Sequence, residues 1–165
     1  MPITKIKAME ELNDIVRGLR TEGKKIVHTN GGYDILHAGH ISTLEEAKSY
    51  GDVLIVSINS DDSVKRFKGD KRPIFNENER AMLLSALDSV DYVTIFPEDT
   101  ILNTLEILKP DVHVKGGTYL PERVEAEKKL LESWGGEMKF VKLVEGKSTT
   151  DVIQKILDAY KGEIK

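Results

Sequence analysis

The segment Val53-Leu54-Ile55-Val56-Ser57-Ile58 constrains the fold more than any other part of the chain. It is β-branched and almost wholly apolar, without alternation, so a strand built from it is covered on both faces. Such a strand belongs to a parallel sheet enclosed by helices. Four further short runs fit the same sheet: Lys25–Thr29, Val93–Phe96, Val112–Val114 and Met138–Leu143. Between them the apolar spacing is helical. Met9 to Arg20 puts Leu12, Ile15, Val16 and Leu19 on one face, and Ile41–Tyr50, Thr100–Leu108, Glu122–Trp134 and Thr150–Tyr160 are further helical stretches. Asp61 or Asp62 is placed to cap a helix to Phe67, and Asn76 one carrying Met82, Leu83 and Leu87. The alternation predicts an α/β fold: a five-stranded parallel sheet with helices on both faces, one domain over residues 1–165.

Composition narrows the function. Lys plus Arg is 24 and Asp plus Glu is 28, giving a net charge of −4 without runs of one sign. That balance argues against a coat for nucleic acid, whose binders carry basic patches. No stretch reaches the ~20 apolar residues that span a bilayer. Met1-Pro2-Ile3-Thr4-Lys5 leads into charged helical sequence without a signal-peptide core, so a cytoplasmic protein is expected. Cysteine is absent, which excludes thiol nucleophiles and thiolate metal sites.

In open parallel sheets ligands sit beyond the carboxyl ends of the strands, where strand order reverses. Four loops qualify: Asn30–His40, Asn59–Asp62, Lys115–Tyr119 and Gly146–Thr150. The first carries the densest chemistry. Gly31 and Gly32 let backbone amides approach an anion, and the helix that follows aims its N-terminus at the same place. His37 and His40 lie one helical turn apart, across Gly39, so both imidazoles can face one ligand. No third ligand of suitable type stands nearby, which disfavours metal ligation. Neither G-x-x-x-x-G-K-[ST] nor G-x-G-x-x-G is present, so an ordinary P-loop or dinucleotide site is not the reading.

The run Gly32-Tyr33-Asp34-Ile35-Leu36-His37-Ala38-Gly39-His40 resembles the signature of the cytidylyltransferase-like nucleotidyltransferases. Asn59-Ser60-Asp61, Lys65–Pro73, Glu79-Arg80, Lys109-Pro110-Asp111, Val114–Tyr119 and Ser148-Thr149-Thr150 extend the likeness. Together they resemble the adenylyltransferase domain of bacterial bifunctional ADP-heptose synthases, from about Met9 to Leu157. The resemblance implies a Rossmann-like nucleotidyltransferase fold and a one-step reaction. A phosphorylated acceptor attacks the α-phosphate of ATP in line, and Mg²⁺-bound pyrophosphate leaves. A phosphate monoester is already anionic near neutral pH, so no general base is required and catalysis reduces to positioning and charge neutralisation.

Residue roles follow from the same resemblance. His37, His40 and Lys48 are the expected catalytic groups. Gly31, Gly32, Tyr33, Gly39, Lys115, Gly116, Gly117, Thr118, Ser148, Thr149 and Thr150 are the expected nucleotide contacts, and Asp34, Asn59, Asp61, Lys68 and Arg80 the acceptor contacts. Lys48 read alone is a solvated helix lysine, and Ser148 a plain helix cap. His28 and His113 fall within strands and are expected to be structural; Trp134 is expected to pack. Thr118 stands where heptose-type relatives carry Asp, and Leu143 where glycerol-phosphate cytidylyltransferases carry Arg. The second departure favours adenylyl over cytidylyl transfer. The expected partners are ATP and a sugar 1-phosphate, in a homodimer without nucleic acid or membrane. A glycerol-3-phosphate cytidylyltransferase, an FMN adenylyltransferase and a nucleotide sensor without turnover remain as alternatives.

Overall fold

The computed structural model describes residues 2–116, 120–142 and 148–162. Five strands, β1 (Ile26–Gly31), β2 (Val53–Asn59), β3 (Tyr92–Phe96), β4 (Val112–Lys115) and β5 (Glu137–Phe140), form one parallel sheet in the order β3-β2-β1-β4-β5. The chain builds outward from β1 to β3, then returns to lay β4 on the other side of β1. Strand order therefore reverses between β1 and β4. All seven residues of β2 are buried, as its unbroken apolar run requires.

The helices are α1 (Met9–Thr21), α2 (Ala38–Lys48), α3 (Asp61–Lys68), α4 (Glu77–Ser85), α5 (Leu102–Leu108), α6 (Pro121–Glu132) and α7 (Thr149–Ala159). Side chains alternate across each strand and sort the core into two layers. Val27, Leu54, Val56, Ile58, Val112 and Val114 pack with Leu44 and Ala47 of α2 and Ala81 and Leu84 of α4. On the other face Ile26, Val53 and Ile55 pack with Leu12 and Val16 of α1 and Leu108 of α5. Leu105 of α5, with Phe96 and Ile101, meets Leu130 and Trp134 beneath α6. Trp134 also donates its indole N–H to Pro110 O at 3.0 Å, so it packs as expected.

Several boundaries differ from the sequence expectation. The cap of α3 is Ser60, whose hydroxyl accepts from Ser63 N, while Asp61 and Asp62 lie in the first turn where the helix dipole favours acids. Asn76 caps α4 as expected, in a reciprocal box with Glu79. The expected Ile41–Tyr50 helix starts three residues earlier, because the first turn of α2 bears His37, Ala38, Gly39 and His40 rather than core residues. The last strand ends at Phe140, and Leu143 lies outside the described residues.

Candidate active site

The carboxyl ends of β1 and β4 meet the amino end of α2. Between them, Tyr33 holds a left-handed backbone with φ 47°, a conformation that costs a bulky residue strain. The bend folds its ring back over Gly31, where an added Cβ would lie 3.0 Å from the Tyr33 ring. A side chain at position 31 would press on that ring. The ring also meets His40 at 5.0 Å, tilted by 58°. Burial pushes the Tyr33 phenol up to about 12, against the bond with Thr29, so it stays protonated.

His37 is the N-cap of α2, in extended backbone and without a side-chain capping bond, and no acid sits in the first turn. Those amide groups and the positive end of the helix suit an anion. The His37 and His40 rings stack with centroids 3.8 Å apart and planes 20° apart. Burial first, and the neighbouring His37 second, lowers His40 from 6.5 to about 4. His40 is therefore neutral at pH 7. Its Nδ1 is buried and meets no hydrogen-bond partner among the described residues, a state that calls for a ligand or a role.

Gly116 closes the other side. An added Cβ there would lie 2.9 Å from Thr43 Cγ2, and the Thr43 hydroxyl donates to Gly39 O at 3.0 Å. This contact draws the exit of β4 against the first turns of α2. Lys115 reaches inward: its Nζ lies 3.3 Å from Asn30 Oδ1 and 2.8 Å from Glu127 of α6. Neither Asn30 nor Glu127 was assigned a role from the sequence, although Asn30 opens the first candidate loop. Glu127 did leave a trace, a charge between Val124 and Leu131 on the stripe of α6 that faces the core.

The expected acceptor residues are mostly held by other groups of the protein. Asp34 is buried, forms an ion pair with Arg72, and accepts from Ile74 N at 2.7 Å and Phe75 N at 3.0 Å. It therefore ties the 69–76 loop to the β1–α2 loop. Arg80 is wholly buried and donates to Phe75 O, Gly32 O and Asp61 Oδ1. Asn59 is buried and donates to Ser63 Oγ at 3.1 Å. Of this group, Lys68 is the exposed one, at the end of α3. Ser148 caps α7 in a box with Asp151, and Thr149 and Thr150 form its first turn. Gly117 and Thr118 lie outside the described residues.

Lys48 lies at the other end of α2 from the two histidines. It ends α2, and a helix rises ~1.5 Å per residue, so the eight residues after His40 carry it ~12 Å toward the amino edge of the sheet. There Nζ binds Asp91 Oδ2 at 2.5 Å and Asp52 O at 2.6 Å, while Asp91 also accepts from Leu54 N. Through these contacts Lys48 fastens the far end of α2, away from the His37–His40 pair.

A family model described as cytidylyltransferase-like matches residues 28–155. The chain belongs to the cytidylyltransferase-like family. Bifunctional protein HldE of Geobacter metallireducens is 54% identical over 156 residues, covering 94% of this chain and 32% of that protein. Bifunctional protein HldE of Aliarcobacter butzleri is 50% identical over 151 residues, covering 92% of this chain and 31% of the relative. The chain thus spans about a third of the length of the curated relatives it matches. A lipopolysaccharide core biosynthesis protein from Thermoplasma volcanium superposes with TM-score 0.62 at 35% identity, covering 74% of this chain and 98% of that one. A pantoate-beta-alanine ligase from Francisella tularensis, complexed with an ATP ligand and beta-alanine, shares the fold at TM-score 0.62 and 20% identity. It covers 93% of this chain and 77% of that one. No described helix is long and apolar enough to cross a membrane.

Proposed function

We propose that this chain transfers the adenylyl group of ATP to a sugar 1-phosphate of the heptose type and releases pyrophosphate. The observation that carries this reading is the stacked His37–His40 pair at the amino end of α2, beside the strand-order reversal. It occurs in a chain about half identical to HldE proteins. An acceptor phosphate oxygen forms the new bond to the α-phosphorus, and the bond from that phosphorus to the bridging oxygen breaks. The amides of Gly31 to Tyr33 and the first turn of α2 bind the phosphates. The imidazoles of His37 and His40 donate N–H bonds to the oxygens on which charge builds. Lys68, at the exposed end of α3, faces the acceptor, and Ser148, Thr149 and Thr150 add a second helix N-terminus for the triphosphate. Mg²⁺ enters with ATP, held by phosphate oxygens and water, since no three His, Cys, Asp or Glu side chains converge among the described residues.

The working unit is a single domain in a homodimer, for which the exposed Met82 and Leu83 of α4 offer apolar surface. With ATP as donor, the reaction belongs in the cytoplasm. The test is pyrophosphate release from ATP and CTP against heptose 1-phosphate, glycerol 3-phosphate and FMN. ATP with the sugar phosphate is the expected pair. A preference for CTP would overturn adenylyl transfer, and turnover only with another acceptor would overturn the sugar. His37→Ala and His40→Ala should each lower kcat by ~10²–10³ with a smaller change in KM. Near-normal turnover in either variant removes its catalytic role.

A further inference from the structure

A row of polar side chains is buried on the sheet face opposite α2, in positions that an apolar core would otherwise fill. His28 of β1 approaches Ser57 Oγ of β2 through Nε2 at 2.8 Å, and His113 Nδ1 of β4 through its own Nδ1 at 2.9 Å. His113 Nε2 lies 3.4 Å from Glu127 Oε2. Both histidines are fully buried, and burial lowers both pKa values, so both are neutral. Glu127 stays ionised despite burial because His113 and Lys115 face it. The nearby carboxylate favours one direction for the chain. The carboxylate draws the His113 proton to Nε2, which leaves Nδ1 as acceptor. His28 must donate from Nδ1, and its Nε2 accepts from Ser57. The only charges in this chain are those of Glu127 and Lys115, and they lie at its outer end.

That end is the carboxyl edge of the sheet, where β1 and β4 part. The Lys115 ammonium sits 2.8 Å from each Glu127 oxygen. The two side chains are 12% and 4% exposed, and an ion pair so enclosed is seldom worth more to the fold than an apolar pair of equal volume. Its position offers a better account. Lys115 donates to Asn30 Oδ1 across β1 and β4, and Asn30 directly precedes Gly31 and Gly32. An amide whose oxygen is engaged by an ammonium has its orientation fixed. Both of its N–H donors are then left for other acceptors.

We propose that Glu127 is a positioning residue for the nucleotide: by holding Lys115 against Asn30 Oδ1, it presents the Asn30 NH₂ as a donor to ribose or phosphate oxygens beside the glycine loop. This rests on the reading of that loop as the nucleotide site. Asn30 makes the contact, Lys115 orients it and Glu127 acts through Lys115. The neutral histidine chain anchors the carboxylate from behind.

The test compares wild type, Glu127→Gln, Asn30→Ala and the double variant by ATP equilibrium dialysis, steady-state kinetics and melting temperature. Each single variant should raise the Kd and KM for ATP about tenfold, equivalent to ~1.4 kcal/mol, with kcat within about threefold of wild type. The double variant should be no worse than the weaker single, because both changes remove one contact. A purely structural Glu127 would lower the melting temperature and leave the Kd for ATP unchanged, and that result overturns the proposal. So does a double variant whose defects multiply. Should Glu127→Gln fail to fold, Lys115→Met/Glu127→Leu removes both charges together. That protein should fold and bind ATP as weakly as Asn30→Ala, and wild-type affinity in it refutes the assignment. A wild-type chain that binds ATP but releases no pyrophosphate refutes adenylyl transfer alone, since dialysis still reads the Glu127 effect. One that binds no nucleotide refutes both.

Discussion

Replacing Arg80 by Met asks whether this residue serves substrate or fold. Its guanidinium is wholly buried and donates to three groups: Phe75 O at 3.0 Å, Gly32 O at 2.6 Å and Asp61 Oδ1 at 2.7 Å. Methionine keeps much of the volume and removes every donor. Two carbonyls then lose a charged partner, and Asp61 loses its counter-charge. Breaking one side of a buried pair costs ~3–5 kcal/mol. Full loss of three charge-assisted bonds would cost more, but the Asp61 side chain is 28% exposed and water recovers part of the deficit. For a chain of this size each kcal/mol moves Tm by ~2–4 °C, so Arg80→Met should melt ~10–15 °C lower. Differential scanning calorimetry at pH 7 is the assay. Adding Asp61→Asn to the variant should restore several degrees, because the stranded carboxylate is part of the penalty. A Tm within ~4 °C of wild type, with a raised KM for the acceptor, would refute the reasoning and make Arg80 a substrate ligand.

Three further outcomes are expected. Lys48→Met removes a pair in which both side chains are about one-third exposed, so it should cost at most ~1 kcal/mol and leave kcat unchanged; a large fall in kcat would return Lys48 to the site. Stability should fall as pH drops from about 6.5 toward 4, because the unfolded chain then protonates His28, His40 and His113 while the folded chain keeps them neutral; equal melting temperatures at pH 7 and pH 5 would contradict that. Ser148→Ala should lower the apo Tm through loss of the capping box with Asp151, at ~1 kcal/mol. It should also shrink the Tm rise given by saturating Mg-ATP; a full rise would leave Ser148 a cap alone.

The sheet was legible because burial on both faces writes itself into one dimension: Val53 to Ile58 has no polar alternation, and the helices between strands keep their apolar period. The reading weakened wherever a residue faces something other than core. The first turn of α2 was missed since His37, Ala38, Gly39 and His40 follow no apolar period. The position of Lys48 was not legible because spacing along a helix conveys which face a residue occupies, while the direction of the helix decides which end of the sheet it reaches. Asp34, Asp61 and Arg80 share a different difficulty. Their charges resemble those of an acceptor site, yet the pairings that occupy them join segments up to 48 residues apart. No local pattern records a partner at that range. The sequence expectation that His28 and His113 are structural agrees with their full burial, but Glu127, beside His113, lies on a helix reached only after the chain leaves the sheet. A charge that looks functional in the sequence is therefore separated from ligand binding by what already neutralises it. At this site most of the charged candidates are neutralised from within. In the proposed reading, what faces the nucleotide is largely uncharged: backbone amides, the His37 imidazole, the neutral His40 imidazole and the amide of Asn30, donors suited to charge that arises only during transfer.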